Sequence, residues 1–264
     1  MRLPHALTRL IWPLALSIAP ISALAAECSA QSGAQTVPLV ELYTSEGCSS
    51  CPPADKWLSG IAASGFTSDK VVPLAFHVDY WDYIGWKDRF ARPDFSARQR
   101  QSADIGRSTF VYTPQVLFNG ADFRGYQSGS RFNQSIAGSL KQPARANLSL
   151  NLATQASGDI SVAASAQTVR PEDRKNADVF VAVYENKLIS QVKGGENSGR
   201  QLDHDYVVRE WFGPYKLDGK DGAAWQRNLS LKKDWKGRDA GVATFVQDRT
   251  NGEVLQALAL KFCS

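Results

Sequence analysis

Two cysteines separated by two residues are the first candidates for chemistry in this sequence. Cys48 and Cys51 lie in GCSSCPP, directly after the apolar run VPLVELYTSEG. Such a pair can exchange disulfides, bind a metal ion or form a structural cross-link. The compartment decides which chemistry is available, because stable disulfides need an oxidising environment.

The N-terminus predicts export. Residues 1–25 contain two arginines, then an apolar stretch, then Ala23-Leu24-Ala25, and this order is typical of a cleaved secretory signal peptide. Its removal lowers the net charge from +4 to about +2, which is too slight to favour nucleic acid or an anionic membrane. We therefore expect a periplasmic or secreted protein with no nucleic-acid partner and no stable membrane insertion after processing.

Four cysteines remain after processing, and four cysteines allow three pairings. Cys48 and Cys51 are neighbours, whereas Cys28 and Cys263 lie just inside the two ends of the mature chain. The spacing favours one local pair and one structural end-to-end pair. In the chain-entropy model, a bridge over so long a loop restricts the unfolded chain by about 5 kcal/mol.

Residues 37–142 alternate strand-like and helical patterns, which predicts an α/β layer structure. A buried strand ends just before Cys48, and a helix follows Cys51 with Ala54, Leu58 and Ile61 on one face. Further along, TPQVLF and ADFRGY are joined by Asn-Gly, which favours a hairpin with a type I′ turn. The cysteine pair is thus placed at a strand-to-helix junction.

Residues 145–264 have a different pattern. Seven or eight short runs alternate or are continuously apolar, and Gly, Asn and Asp clusters separate them. This spacing predicts a β-sandwich-like domain.

The junction itself favours a reactive pair. A cysteine at a helix N-terminus faces unpaired backbone N–H groups and the positive end of the helix dipole, which stabilise the thiolate. Cys48 is placed to be that thiolate, and Cys51, one turn further on, could attack its sulfur after Cys48 has joined a partner. The two prolines that follow are tolerated because a first helical turn has no intrahelical N–H bonds to lose.

The motif VYTPQVLFNG, about sixty residues downstream, completes a resemblance to the thioredoxin fold. The resemblance implies that Cys48 attacks, that Cys51 resolves, and that Thr113 with a cis Pro114 forms the edge on which a substrate peptide docks. It also implies a buried acid that relays protons to the resolving cysteine. Glu41, on the first strand, is the candidate for that relay, with an outward, solvated Glu41 as the alternative.

The whole mature chain resembles, more narrowly, an uncharacterised family of secreted bacterial thioredoxin-like proteins. The segments that carry this resemblance are VELYTSEGCSSCPPAD, FHVDYWDYIGWKDRFA, TPQVLFNG and GENSGRQLDHDYVVR. The fold it implies is an α/β thioredoxin-like domain followed by an all-β sandwich-like domain. His77 and His204 lie in two of these segments, and for each of them the sequence favours a structural role over a functional one.

Three classes of function fit these residues. The first is a thiol-disulfide oxidoreductase that needs no dissociable cofactor, acts on the thiols or disulfides of exported proteins and depends on an unknown redox recycling partner. The second is a thiolate-based copper or zinc carrier, although the sequence has no second CxxC. The third is a partner-binding module on a non-catalytic scaffold. We expect the first, with no metal bound.

Overall fold

Strands dominate the structure. The computed structural model describes residues 26–217, 219 and 222–263, so the predicted signal peptide, residues 1–25, lies outside the described residues. The α-helices are α1 (Pro52–Ser59), α2 (Pro93–Ile105) and α3 (Gly129–Ser139). Short 3-10 helices cover Asp79–Ile84, Pro171–Asn176 and Gly237–Asp239. The strands are β1 (Glu27–Gln31), β2 (Leu39–Thr44), β3 (Val72–His77), β4 (Gln115–Phe118), β5 (Ala121–Asp122), β6 (Ala146–Thr154), β7 (Ile160–Thr168), β8 (Ala177–Glu185), β9 (Leu188–Gln191), β10 (Gln201–His204), β11 (Val207–Lys216), β12 (Ala223–Leu229), β13 (Ala240–Asp248) and β14 (Val254–Lys261).

The predicted fold class, an α/β thioredoxin-like domain followed by an all-β sandwich-like domain, is wrong. One eight-stranded sheet runs through both regions in the order β14-β13-β8-β11-β3-β2-β4-β5. Its first four strands come from residues 145–264 and its last four from residues 37–142. The predicted boundary lies in the connection between α3 and β6, but the sheet is continuous across the two regions.

The two halves of the sheet meet where β11 lies beside β3. Val207 pairs with Ala75 in parallel register, and the Ala75 N–H donates to the Tyr206 carbonyl at 2.8 Å. Along the rest of its length β11 is antiparallel to β8. The β3 edge would otherwise present unpaired backbone groups, which β11 covers. Alternating apolar residues identify strands but not the strands they pair with, so the sequence pattern did not reveal this junction.

Layers on both faces explain why the central strands β2 and β3 are buried along their whole length. Along β2, Leu39 and Tyr43 face the side covered by α2, whereas Val40 and Leu42 face α1 and α3. A four-stranded sheet in the order β1-β6-β7-β12 packs against β8, β13 and β14, on the face of the large sheet that bears α1 and α3 further along. These strands form two packed layers, but the large sheet continues past them into β11, β3, β2, β4 and β5.

The end-to-end disulfide links these two sheets. Cys28 lies in β1, at the edge of the four-stranded sheet, and Cys263 follows β14, at the edge of the eight-stranded sheet. Their Cα atoms are 5.7 Å apart although 235 positions separate them in sequence. The bridge therefore connects both ends of the described chain, and the chain-entropy argument for a long loop applies to it.

A buried ion pair joins α2 to β2 near the middle of the large sheet. Arg98, on α2, donates from Nε and Nη2 to the Glu41 carboxylate at 2.7 and 2.9 Å, and Tyr43 Oη donates to the same carboxylate at 3.0 Å. Four aromatic rings surround the guanidinium, with centroids 4.8 to 5.8 Å from it, and they belong to Phe76, Phe180, Trp211 and Phe245. Burial by itself would lower the pKa of Arg98, but Glu41 raises it above its ordinary value.

Arg98→Met should lower the free energy of unfolding by about 3–5 kcal/mol, because it leaves Glu41 as an uncompensated buried charge. Replacing both residues, as Glu41→Leu with Arg98→Met, should recover much of that loss. Urea unfolding at neutral pH measures both effects. Arg124→Met is the matched control, since it breaks an exposed ion pair with Asp122 and should leave the free energy of unfolding almost unchanged. Equal losses in the Arg98 and Arg124 variants would contradict this account.

Candidate active site

The disulfide between Cys48 and Cys51 lies between the end of β2 and the start of α1. Cys51 is the N-cap of α1 and already has helical backbone angles, with φ −76° and ψ −38°. Its carbonyl accepts from the Ala54 N–H at 2.8 Å, while Pro52 begins the helix without needing an N–H partner. The two Cα atoms are 5.4 Å apart.

Both cysteines are completely buried, but the two serines between them are exposed. Ser50 Oγ lies 3.3 Å from Cys48 Sγ, and the Ser49 N–H donates to Glu196 Oε2 at 2.9 Å. A reagent that reaches the sulfurs therefore has to displace something that covers them.

One cover is the hairpin tip, by which we mean residues 192–200 between β9 and β10. The buried Asn197 donates from Nδ2 to the carbonyl oxygens of Glu46 and Cys48, both at 2.9 Å. At Gly194 a Cβ would lie 2.3 Å from the Gly85 carbonyl oxygen, so only glycine permits this approach. The tip thus fastens the loop of the cysteines to a segment about 150 residues away in sequence.

The loop that contains Pro114 is linked to the loop of the cysteines through Trp81. The Thr113-Pro114 bond is cis, and the register of β2 with β4 places Pro114 next to Thr44. Trp81 Nε1 donates to Thr113 Oγ1 at 2.8 Å, and a Cβ at Gly47 would lie 3.3 Å from Trp81 Cβ. Trp81 therefore contacts both the loop of the cysteines and the Pro114 loop.

A cavity of about 240 Å³ opens beside Pro114. Its lining is mostly aromatic, and consists of Phe110, Tyr112, Pro114, Val116, Phe123, Arg124 and Tyr126. Phe110 is more than half exposed at its rim. The aromatic residues Tyr80, Trp81, Tyr83 and Trp86 do not line this cavity. Tyr80 donates to Gln99, Trp81 to the half-buried Thr113 and Trp86 to the buried Glu46, whereas Tyr83 is exposed.

Five titratable side chains are buried together behind the pair, a set we call the acid-histidine cluster: Glu46, Asp55, His77, Asp88 and His204. His77 Nδ1 lies 2.6 Å from Asp88 Oδ2, which also accepts from the Glu46 N–H at 2.9 Å. Glu46 Oε1 lies 3.5 Å from His204 Nε2, and the two histidine rings are 4.9 Å apart. Residues from β3, α1, β10 and two loops therefore meet here.

Several polar atoms of the acid-histidine cluster have no hydrogen-bond partner within the described residues. They are Glu46 Oε1, His77 Nε2 and both ring nitrogens of His204. Leaving a buried polar group unpaired costs about 1–3 kcal/mol. Such groups are therefore candidates for a functional role.

Opposing effects set the protonation of the acid-histidine cluster. Burial by itself would raise the pKa of Glu46, but the imidazole of His204 lowers it. Burial would lower the pKa of His77, but the Asp88 carboxylate raises it above its ordinary value. Burial would likewise raise the pKa of Asp88, and His77 lowers it. The pair of His77 and Asp88 therefore favours imidazolium with carboxylate.

Glu41, the predicted proton relay, lies on the other face of β2. Residues alternate along a strand, so Glu41 shares its face with Tyr43 and Leu39 and points away from α1. Its carboxylate is held by Arg98. Asp55 and Asp88 were not singled out from the sequence, although Asp55 follows Cys51 by four residues and so lies on the same helical face.

Two disulfides are typical of an extracytoplasmic protein. Across the described ranges, no helix has both the length and the apolar character that a membrane crossing requires. Nor do those residues contain a group of three or more His, Cys, Asp or Glu side chains arranged to hold a metal ion.

Comparisons with known proteins give a family but no activity. A family model described as "Protein of unknown function (DUF1223)" matches residues 39–247. The crystal structure of a structural-genomics target protein from Agrobacterium tumefaciens is 27% identical, covers 86% of this chain and 95% of that protein, and has a TM-score of 0.55. HBP35 of Porphyromonas gingivalis is 12% identical with a TM-score of 0.63, over 88% of this chain and 76% of its own, and this likeness concerns the fold alone. A search of the curated proteins gave no match.

Asn197→Ala should speed the reduction of the Cys48-Cys51 disulfide by dithiothreitol. The change removes two hydrogen bonds of about 1 kcal/mol each, so the loop should open about 5- to 30-fold more often. Alkylation followed by mass measurement gives the rate. Ser198→Ala, at the exposed neighbouring position, is the control and should match the wild type. A rate unchanged in Asn197→Ala would show that the hairpin tip does not limit access.

His77 should make stability depend on pH. Because its folded pKa is raised, its contribution is fully present below the ordinary pKa of about 6.5 and is lost as the pH rises through the raised value. The melting temperature should therefore fall as the pH rises above about 6.5. In His77→Gln that fall should be smaller, and identical pH profiles for the two proteins would refute the assignment.

Proposed function

The chain belongs to the DUF1223 family, and we propose that it is an exported thiol-disulfide oxidoreductase acting in the periplasm or outside the cell. The observation that carries this proposal is the disulfide of Cys48 with Cys51 at the N-terminus of α1. When that disulfide is reduced, the unpaired N–H groups and dipole of α1 favour the thiolate. A plain cross-link requires neither a helix N-terminus nor the buried titratable groups behind it.

The exchange runs through a mixed disulfide. In the reducing direction, the Cys48 thiolate attacks a substrate disulfide and releases one substrate sulfur as thiolate, which takes up a proton. Cys51, after losing its proton, attacks Cys48 Sγ and releases the second substrate sulfur, so the pair is oxidised as the substrate is reduced. In the oxidising direction the same steps run backwards, and the substrate dithiol ends as a disulfide. A redox recycling partner restores the pair in either case.

Thr113 and Pro114 are the proposed docking edge for the substrate. Trp81 holds the Thr113 side chain and also contacts the loop before Cys48. The aromatic cavity beside Pro114 has room for one large apolar side chain. An extended segment of an exported protein, with a cysteine close to an aromatic or aliphatic residue, fits these two features.

Cys51→Ser should trap mixed disulfides between Cys48 and exported proteins, because the serine cannot release the first intermediate. Non-reducing electrophoresis followed by mass spectrometry identifies the trapped partners. Cys48→Ser is the matched control and should trap none, since it keeps only the resolving thiol. Recovery of uncoupled Cys51→Ser protein alone would count against substrate exchange.

A glutathione redox titration of the wild-type pair separates exchange from a structural cross-link. A potential near about −120 mV is that of a disulfide donor, and one near about −270 mV is that of a reductant. A pair that resists reduction below about −300 mV is a structural disulfide, and that result would overturn the proposed function.

A further inference from the structure

Glu196, on the hairpin tip, places a carboxylate directly beside the cysteine pair. Its Oε2 accepts from the Ser49 N–H at 2.9 Å, and that nitrogen is bonded to the carbonyl carbon of Cys48. Hydrogen bonds from Ser49 lower the pKa of Glu196 below its ordinary value, so the side chain is a carboxylate at neutral pH. The oxidised pair therefore already has a negative charge as its neighbour.

The Ser49 N–H is one of the few donors at this end of α1. The two prolines that begin the helix have no N–H, and the Cys51 N–H donates to the Cys48 carbonyl at 3.2 Å. Glu196 thus occupies a donor that would otherwise help to stabilise a thiolate at Cys48. A charged side chain from a distant hairpin and the reactive sulfur are competitors for the same stretch of backbone.

The other bonds that hold the hairpin tip closed are made to neutral groups of the cysteine loop. Asn197 donates its side-chain amide to the Cys48 carbonyl, and Arg200 Nη1 donates to Asn197 Oδ1 at 2.9 Å. The close approach at Gly194 is made to a backbone carbonyl. These contacts are alike for a disulfide and for a dithiol, so a dependence on redox state has to come from Glu196.

Reduction changes the charge that Glu196 faces. The disulfide is neutral, whereas the reduced pair of the proposed function carries a thiolate at Cys48. Like charges on the two sides of the Ser49 N–H repel each other. Both Glu196 and Ser49 are exposed, so salt screens this repulsion. At low salt, the bond from Ser49 to Glu196 is therefore stronger over the disulfide than over the thiolate.

We propose that Glu196 is a positioning residue that closes the hairpin tip over the oxidised pair and releases it when the pair is reduced. In the reduction, a reductant dithiol gives two electrons to the Cys48–Cys51 bond and becomes a disulfide. Cys51 takes up one of its protons, the other goes to solvent, and Cys48 remains a thiolate. The release that follows breaks only the hydrogen bond from Ser49 to Glu196. This inference rests on the proposed oxidoreductase function.

Release of the hairpin tip on reduction gives the site a direction. The reduced pair is open to a substrate disulfide, and the oxidised pair is covered again after the exchange. By linkage, the factor by which reduction opens the tip is also the factor by which Glu196 favours the disulfide. Removal of its charge should shift the equilibrium with glutathione toward the reduced pair by about 3- to 10-fold, the range expected for one hydrogen bond.

The first measurement is cleavage of the hairpin tip by trypsin, after the exposed Lys193 and Arg200, in oxidised and reduced protein. Mass spectrometry of the peptides gives the rates, which follow the open population when opening is fast. The wild type should be cut about 3- to 10-fold faster when reduced, and this ratio should shrink at about 1 M salt. In Glu196→Gln, which keeps an acceptor but loses the charge, the ratio should be close to one at any salt concentration.

Two control variants isolate the charge of Glu196. Asp203→Asn, at an exposed position of β10 in the same hairpin, should keep the wild-type ratio. Cys48→Ser should be cut at one rate with and without reductant, because it forms neither the disulfide nor the thiolate. A rate in Cys48→Ser that still rises with reductant would assign the opening to loss of the Cys28–Cys263 bridge and overturn the proposal.

The second measurement is the glutathione equilibrium of Glu196→Gln. A shift toward the reduced pair that matches the lost cleavage ratio supports the role of Glu196, and an unshifted equilibrium refutes it. If the wild-type pair exchanges and traps partners but the tip is cut equally in both states, this role is refuted while the oxidoreductase function stands. If reduction opens the tip but Cys51→Ser traps no partner, the role of Glu196 is supported and the oxidoreductase function fails. A pair that cannot be reduced overturns both.

Discussion

The ion pair of Arg98 with Glu41 is the constraint on which the large sheet depends. Its carboxylate belongs to β2, and the rings around the guanidinium belong to β3, β11, β8 and β13, so one side chain from α2 contacts five adjacent strands. A buried guanidinium is stable only when its charge is compensated and its donors are bonded. The guanidinium meets this carboxylate and all four rings at once because β2 and the strands of the C-terminal region belong to one sheet. Packing around this charge therefore links the two regions.

That continuity also builds the candidate active site. Because β11 pairs with β3, the β9–β10 hairpin that precedes it is brought over the loop of the cysteines. Asn197 then binds the carbonyl of Cys48, and His204 enters the acid-histidine cluster. The disulfide thus receives its near neighbours from two distant parts of the chain. A structure in which the C-terminal region formed a separate domain would leave the pair without either contact.

The two faces of β2 carry polar side chains with different roles. The face of β2 that bears Glu41 holds the structural ion pair, and the face that bears Thr44 turns towards Asp55 on α1. Strict alternation keeps these charged groups apart, so the carboxylate that stabilises the sheet does not compete with the one beside Cys51. Both carboxylates are buried, but only Glu41 has a permanent cationic partner within the described residues.

The sequence by itself determined the local features of this protein. It placed Cys48 and Cys51 at a strand-to-helix junction, and it predicted the Asn119-Gly120 turn, where both residues have positive φ. These features follow from spacing over a few residues, which sequence patterns encode directly. Only the tertiary structure decided that the strands form one sheet, that Glu41 is held by Arg98, and that Asn197 and His204 reach the pair. Strand pairing and burial join residues far apart in sequence, and periodicity carries no information about which of them meet.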